Sequence, residues 1–428
     1  MSLDQFLKGT APGSAAHTLR ALRHRNFRLF FFGQLVSLIG TWMQSLAQGW
    51  LVWRLSHSAW LLGLVGFCQM APVLLLGLLG GVVADRFDRH RMVIATQSAA
   101  LVQSVLLAAL TLAGAITVWQ IMALALLLGV VNAFDMPIRQ AFLVQMVGRE
   151  DLGNAIALNS SIFNGARIIG PAVAGLVVAR WGEGMCFSLN AVSFLAVLAS
   201  LIAMRLDKRP LPRPEGNTGQ RLAEGFSYAW RTPHVRFLLS LMMVTSLFAF
   251  PFTSFLPALV GGVLHGGAKG LGTLMTCSGV GALLGALAVA RREGIRGMGR
   301  LVGTTGAGFG LFLMAFGLSR SFWLSCALIL AVGFCMMIQM AATNTLLQSL
   351  VPEELRGRLM SLYTVTFVGV APIGSLLLGW LAHYLKIQWV LVGGGAITAA
   401  AGVVFLFFVP MIRPSVLPLL AEGNGEFT

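Results

Sequence analysis

The chain has 428 residues, of which 57% are hydrophobic and only 11% charged. Soluble domains carry about 25% charged residues, so this composition excludes a soluble enzyme and leaves a polytopic membrane protein. Lys and Arg number 30 against 15 Asp and Glu, a net charge of +15. The basic residues lie in short clusters between uncharged stretches, which fits topology charge beside anionic lipid and argues against a nucleic-acid partner.

Residues 1–20 hold Asp4 and Lys8 and no apolar core, so no cleaved leader is expected. A membrane-crossing helix needs about 20 apolar residues. Leu29 to Trp53 and Ala59 to Val83 supply two such runs, and Met92 to Phe134 is uncharged throughout and divides near Gly114 to Thr117 into two more. Further spans are predicted near 155–179, 184–204, 236–260, 269–290, 301–318, 322–346, 358–383 and 388–410, which makes twelve. The predicted order is an N-terminal segment (1–27), a six-helix half (28–204), a linker (205–235), a second six-helix half (236–410) and a tail (411–428). With both termini in the cytoplasm, only Arg54, Arg180, Lys269, Arg320 and Lys386 fall in outside loops, as the positive-inside rule requires.

The two halves repeat. A shift of 204 residues sets Met146 to Gly175 on Leu350 to Gly379 without a gap, and Gly153, Gly165, Gly170 and Gly175 meet Gly357, Gly369, Gly374 and Gly379. Parallel six-helix repeats around a midplane site are a transporter design. The 5 cysteines all fall in apolar stretches without a CxxC, and none of the 7 histidines sits in mid-span. They predict no disulfide, no metal site and no cofactor.

After the second span comes "GGVVADRFDRHR", with Gly81, Asp85, Arg86, Arg89 and Arg91 in the register G-x-x-x-D-R-x-D-R-x-R. It resembles the loop signature of the major facilitator superfamily, with Asp88 in place of the usual glycine. Gly81 is expected to permit close helix approach, and Asp85 to face the positive end of a neighbouring helix as a cytoplasmic gate. "GARIIGPAVAG" in span five, carrying Gly165, Gly170, Pro171 and Gly175, is similar to the glycine-proline motif of that superfamily's exporters, with glycines for close packing and a proline for a bend. Longer stretches such as "NAFDMPIRQAFLVQMVGREDLGNAIALNSS" resemble the branch that contains the enterobactin exporter and related drug and macrolide exporters. The resemblance covers most of residues 20–410. It implies an all-α major facilitator fold with twelve transmembrane helices in two pseudo-symmetric halves, a small siderophore-like or amphipathic substrate, and coupling to protons.

Apart from the basic residues Arg236, Lys269 and Arg358 that open a span, the charges of the spans are one carboxylate, Asp135, just past Phe134 in span four, and one arginine, Arg167. Ionisable groups in hydrocarbon are costly and are functional candidates by default. Both residues lie equally far from a turn near residue 151, so they are expected at similar depth as an ion pair, which either couples protons to transport or holds spans four and five in register. In span one, Gln34, Ser37, Thr41, Gln44 and Gln48 fall within roughly an 80° arc. This stripe faces either a wet cavity, the favoured reading because spans one, four, seven and ten line the cavity in the family, or other helices through hydrogen bonds. Phe248, Gln339 and Asn344 are the second-half lining candidates.

The expectation is a secondary active exporter of the bacterial inner membrane, working as a monomer by alternating access, in contact with lipid and not an enzyme. A lipid or lysophospholipid transporter of the same fold is the alternative, and a non-transporting scaffold a more remote one.

Overall fold

The computed structural model describes residues 19–148, 150–205, 226–292 and 294–423. Among these, twelve helices or helix pairs are long and apolar enough to cross a membrane. A short 3-10 turn, Arg20–Arg23, precedes α1 (Arg25–Ser56), α2 (Ala59–Arg86), α3 (Arg89–Leu112), α4 (Val118–Val147), α5 (Leu152–Trp181) and α6 (Glu183–Ile202). The second half holds α7 (Pro233–Phe248), α8 (Phe252–Leu259), α9 (Gly267–Ala290), α10 (Met298–Leu318), α11 (Phe322–Leu350), α12 (Glu353–Thr364), α13 (Val370–Tyr384) and α14 (Ile387–Gly423). Two π segments, Val260–Leu264 after α8 and Val365–Gly369 between α12 and α13, complete spans seven and eleven.

Local chemistry sets the ends. Asp88 caps α3 by accepting from the Arg91 amide at 3.0 Å. Thr117 and Gln120 form a reciprocal capping box at the start of α4. Gly182, at φ +82°, turns the chain from α5 directly into α6, a conformation that L side chains rarely adopt. Helix α4 runs past the predicted limit near Phe134 to Val147, so Pro137 and Arg139 lie inside it.

The chain forms two compact units, Met1–Leu55 with Ala71–Pro214 and Ala268–Gly272, and Ser56–Met70 with Glu215–Gly267 and Thr273–Thr428. Each unit takes a short piece of helix from the other half of the sequence. In the first, α3 packs on α6; Phe27, Phe30, Val93, Phe142 and Leu201 fill one end of its core. In the second, α10 packs on α14, and Val235, Leu241, Val302 and Leu346 belong to its core. The repeat survives in the packing. A Cβ on Gly170 would come within 2.5 Å of the Trp42 Cβ on α1, and one on the repeat-related Gly374 within 2.2 Å of the Leu247 carbonyl on α7.

At one end of the first unit, Asp151, 1% exposed, binds the 3-10 turn to the start of α5. Its carboxylate pairs with Arg20, with Arg23 Nη2 at 2.8 Å and with His24 Nε2 at 2.7 Å. Ala21 N also donates to Asn154 Oδ1 at 2.9 Å. Burial alone would push the Asp151 carboxyl up, but the His24 hydrogen bond and the Arg23 and Arg20 charges outweigh it and hold it below the usual carboxylate range. A depressed value means that the ionised group stabilises the folded state above about pH 4, the unfolded value, and that this stabilisation is lost as pH falls through the folded value. In thermal melts of purified protein, wild type is expected to exceed Asp151→Asn in Tm by a constant margin from pH 5 upward, and the margin to close below that.

Candidate functional site

The expected pair between Asp135 and Arg167 is not formed. Asp135, 2% exposed, is bound by Arg139 one turn along α4 and accepts from Thr96 Oγ1 at 2.7 Å and Gln97 Nε2 at 2.9 Å, both on α3. Arg139 in turn donates through Nη1 to Gln34 Oε1 on α1 at 2.9 Å. One carboxylate thus ties together three helices of the first unit. Equal distance from a turn fixes depth along a hairpin but not the direction in which a side chain leaves its helix, and an i,i+4 partner on the same helix is nearer. Arg167 lies near the middle of α5 with its guanidinium 5.9 Å from the centre of the Trp42 ring. Trp42 meets Phe163 edge-on at 5.9 Å.

The stripe on α1 faces inward. Gln34, Ser37, Gln44 and Gln48 are 1%, 3%, 3% and 4% exposed, and Thr41 alone is exposed and donates to the Ser37 carbonyl at 2.9 Å. Gln44 is the hub of a buried network. It donates to Gln103 Oε1 at 3.0 Å, while its own Oε1 accepts from Ser104 at 2.9 Å and from Asn190 at 2.8 Å. For Gln44 and Gln34 the open cavity lining favoured from sequence is therefore corrected to interhelical hydrogen bonding, Gln44 to α3 and α6 and Gln34 to Arg139 of α4. The reason is that a buried amide needs donors and acceptors, which α3 and α6 supply to Gln44.

In the second unit Gln339, 1% exposed, donates to Thr245 Oγ1 at 2.8 Å and so also ties two helices, α11 to α7, where a lining role was expected. Asn344 is half-buried and accepts from Gln348. Phe248, half-buried, ends α7 where the helix breaks at Ala249 to Pro251. Next to the break, Ser246 donates to the Phe367 carbonyl in the π segment at 2.6 Å, and Phe250 packs edge-on against Phe367 at 5.0 Å.

The loop motif is altered in detail. A Cβ on Gly81 would meet nothing within 4 Å, so the close approach expected of it is made by Gly80, where a Cβ would lie 2.2 Å from the Ala133 carbonyl on α4. One residue along a helix turns the side chain by about 100°, and Pro137 leaves that carbonyl without its usual amide donor. The side chain of Asp85 lies outside the described residues. Arg86 is exposed; Arg89 donates to the Ala84 and Ala141 carbonyls at 3.2 and 3.1 Å; Arg91 contributes its amide to the Asp88 cap. In the span-five motif, Gly170 packs on α1 and Gly175 lies 3.1 Å, as a Cβ, from the Ala268 carbonyl, but Gly165 has open space where packing was expected. Pro171 lies within a continuous α5.

Sequence reasoning missed Arg139 as the partner of Asp135, the Asp151 cluster, and the two-pronged pair of Arg54 with Glu183, at 2.8 and 3.0 Å, that joins the end of α1 to the start of α6. Charge type and i,i+4 spacing would have found the first, had span four been extended. A cavity of about 500 Å³ opens beside His24, Arg25, Asn26, Met146 and Arg205, and none of the candidate residues lines it. Among the described residues no cluster of His, Cys, Asp and Glu can hold a metal ion.

A family model described as "transmembrane secretion effector" matches residues 16–415. The chain is 26% identical over 383 residues to the staphyloferrin A transporter of Staphylococcus aureus, covering 89% of this chain and 95% of that one. It is 25% identical over 359 residues to the enterobactin exporter EntS of Shigella boydii, covering 84% and 85%. Among solved structures, a peptide transporter of the POT type superposes with a TM-score of 0.72 at 14% identity, covering 96% and 99% of the two chains. A bacterial homologue of the lysosomal transporter Spinster gives 0.65 at 14% identity, covering 97% and 99%. The structural likenesses establish the major facilitator fold.

If Gln44 is a structural hub, Gln44→Leu leaves Asn190 Nδ2 and Gln103 Oε1 without their Gln44 partner, at a cost of about 1–3 kcal/mol per orphaned group, while Ser104 keeps its bond to the Phe187 carbonyl. Melts of the purified variants are expected to show a clear fall in Tm for Gln44→Leu and almost none for Thr41→Val.

Proposed function

The chain belongs to the transmembrane secretion effector family of the major facilitator superfamily, an integral membrane transporter and not an enzyme, and from that premise we propose that it is a proton-coupled exporter of siderophore-like or other amphipathic small molecules. Two of its relatives are a staphyloferrin A transporter and an enterobactin exporter, and the glycine-proline motif of α5 supports outward transport. Positive-inside charge supports cytoplasmic termini; in this reading the Asp151 cluster and the Arg89 contacts lie on the cytoplasmic side of a bacterial inner membrane. The functional unit in this reading is a monomer, with lipid as its surroundings.

The observation that carries proton coupling is the shell of Asp135. A carboxylate in the interior of a membrane protein is stable only while a cation and hydrogen-bond donors compensate it, and here these are Arg139, Thr96 and Gln97. A proton on Asp135 removes the charge that holds Arg139, and Arg139 is bound to α1 through Gln34. Protonation thereby alters the link between α4 and α1, and rearrangement of these helices alters proton affinity in return. Such reciprocity is the thermodynamic basis of coupling.

Inside-out vesicles with an acidic lumen provide the test. Wild type is expected to accumulate enterobactin or a fluorescent amphipathic dye against its gradient. Asp135→Asn is expected to lose at least tenfold of the pH-driven accumulation and to keep pH-independent exchange of the same compound. Normal accumulation by the variant overturns the coupling role, and translocation of lysophospholipid without dye transport favours the lipid-transporter alternative.

A further inference from the structure

We propose that Arg167 and Trp42 form a recognition site for an anionic group carried on an aromatic ring of the transported molecule. This deepens the export reading and rests on it. The Arg167 guanidinium has, among the described residues, no hydrogen-bond or ion-pair partner, and its recorded contact is the face of the Trp42 indole at 5.9 Å. Of the acids nearest it in sequence, Glu150 is exposed before the start of α5 and three are paired elsewhere. Asp135 is taken by Arg139, Asp151 by Arg20, Arg23 and His24, and Glu183 by Arg54.

An arginine near the middle of a membrane helix costs several kcal/mol unless its charge is met. A ring face offsets about 0.5–2 kcal/mol of this and leaves the five N–H donors of the guanidinium unused. Those donors form a planar fork that matches a carboxylate bidentately. With no counter-ion among the described residues, a bound anion is the partner that satisfies the group.

The surroundings fit a ligand. Phe163 is 46% exposed and stands edge-on to Trp42, so two aromatic rings flank the fork. On the same stretch of α5, Ser160 is exposed and Asn164 half-buried, whereas Ile169, Val173 and Leu176 beyond it present apolar surface. Gly170 seats α5 against Ile39 and Trp42 of α1 and so fixes the indole beneath Arg167. The cargo group that suits this arrangement is an aryl carboxylate or an equivalent aromatic anion.

The test is equilibrium binding of 1-naphthoate and its neutral isostere 1-naphthamide to the purified full chain in nanodiscs of zwitterionic lipid. Wild type is expected to bind naphthoate at least tenfold more tightly than naphthamide. Arg167→Gln is expected to abolish that preference while still binding naphthamide, which shows that it is folded, and Arg167→Lys to keep most of it. Equal binding of the two probes by wild type, retention of the preference by Arg167→Gln, or no saturable naphthoate binding overturns the proposal. Equilibrium binding needs no proton gradient, so failure of this site and failure of proton-coupled export are read separately.

Discussion

An ion in hydrocarbon must be met by an opposite charge, by hydrogen bonds or by a ligand, and the architecture of the first unit follows from how each ion there is met. Asp135 is compensated on three sides by groups from α3 and α4, and its arginine reaches α1. Glu183 holds the far end of α1, and Asp151 holds the N-terminal turn. Breaking such a pair leaves an uncompensated charge, which costs more than the pair itself contributes. Arg167 is the exception, since a ring face is all that the described protein offers it.

Neutral polar groups obey the same rule at lower cost. Gln44 bonds Gln103, Ser104 and Asn190 inside the first unit, and Gln339 bonds Thr245 inside the second, which leaves only Gln103 Nε2 and Gln339 Oε1 of these two groups buried without a partner. The backbone is held to it as well. Prolines and π segments release carbonyls from their helical donors, and the chain deals with them locally. Gly80 packs on the Ala133 carbonyl next to Pro137, and Ser246 donates to the Phe367 carbonyl. The breaks in spans seven and eleven therefore meet as one irregular patch within the second unit.

The repeat gives these features a common frame. Gly170 and Gly374 are related by the internal duplication, and each lets its helix close on the first helix of its own half. The chemistry laid on that frame differs. The ionic network around Asp135 belongs to the first unit, and its counterpart around Gln339 is neutral. The proposed coupling and recognition residues thus both lie in the first half of a structurally duplicated chain.

Composition and uncharged run lengths by themselves determined twelve spans, and the duplication and loop motif determined the superfamily, because hydrocarbon thickness and backbone satisfaction leave a membrane chain few options. The sequence also singled out Asp135 and Arg167, since any charge within a span stands out against an apolar background. Partnership was decided only by the tertiary structure. Whether Asp135 met Arg167 or Arg139, whether Gln44 faced water or Asn190, and whether Gly80 or Gly81 made the close approach each depended on the rotation of a helix about its axis. That rotation is set by packing against several neighbours at once, and a single apolar run, hydrophobic on nearly every face, carries almost no record of it.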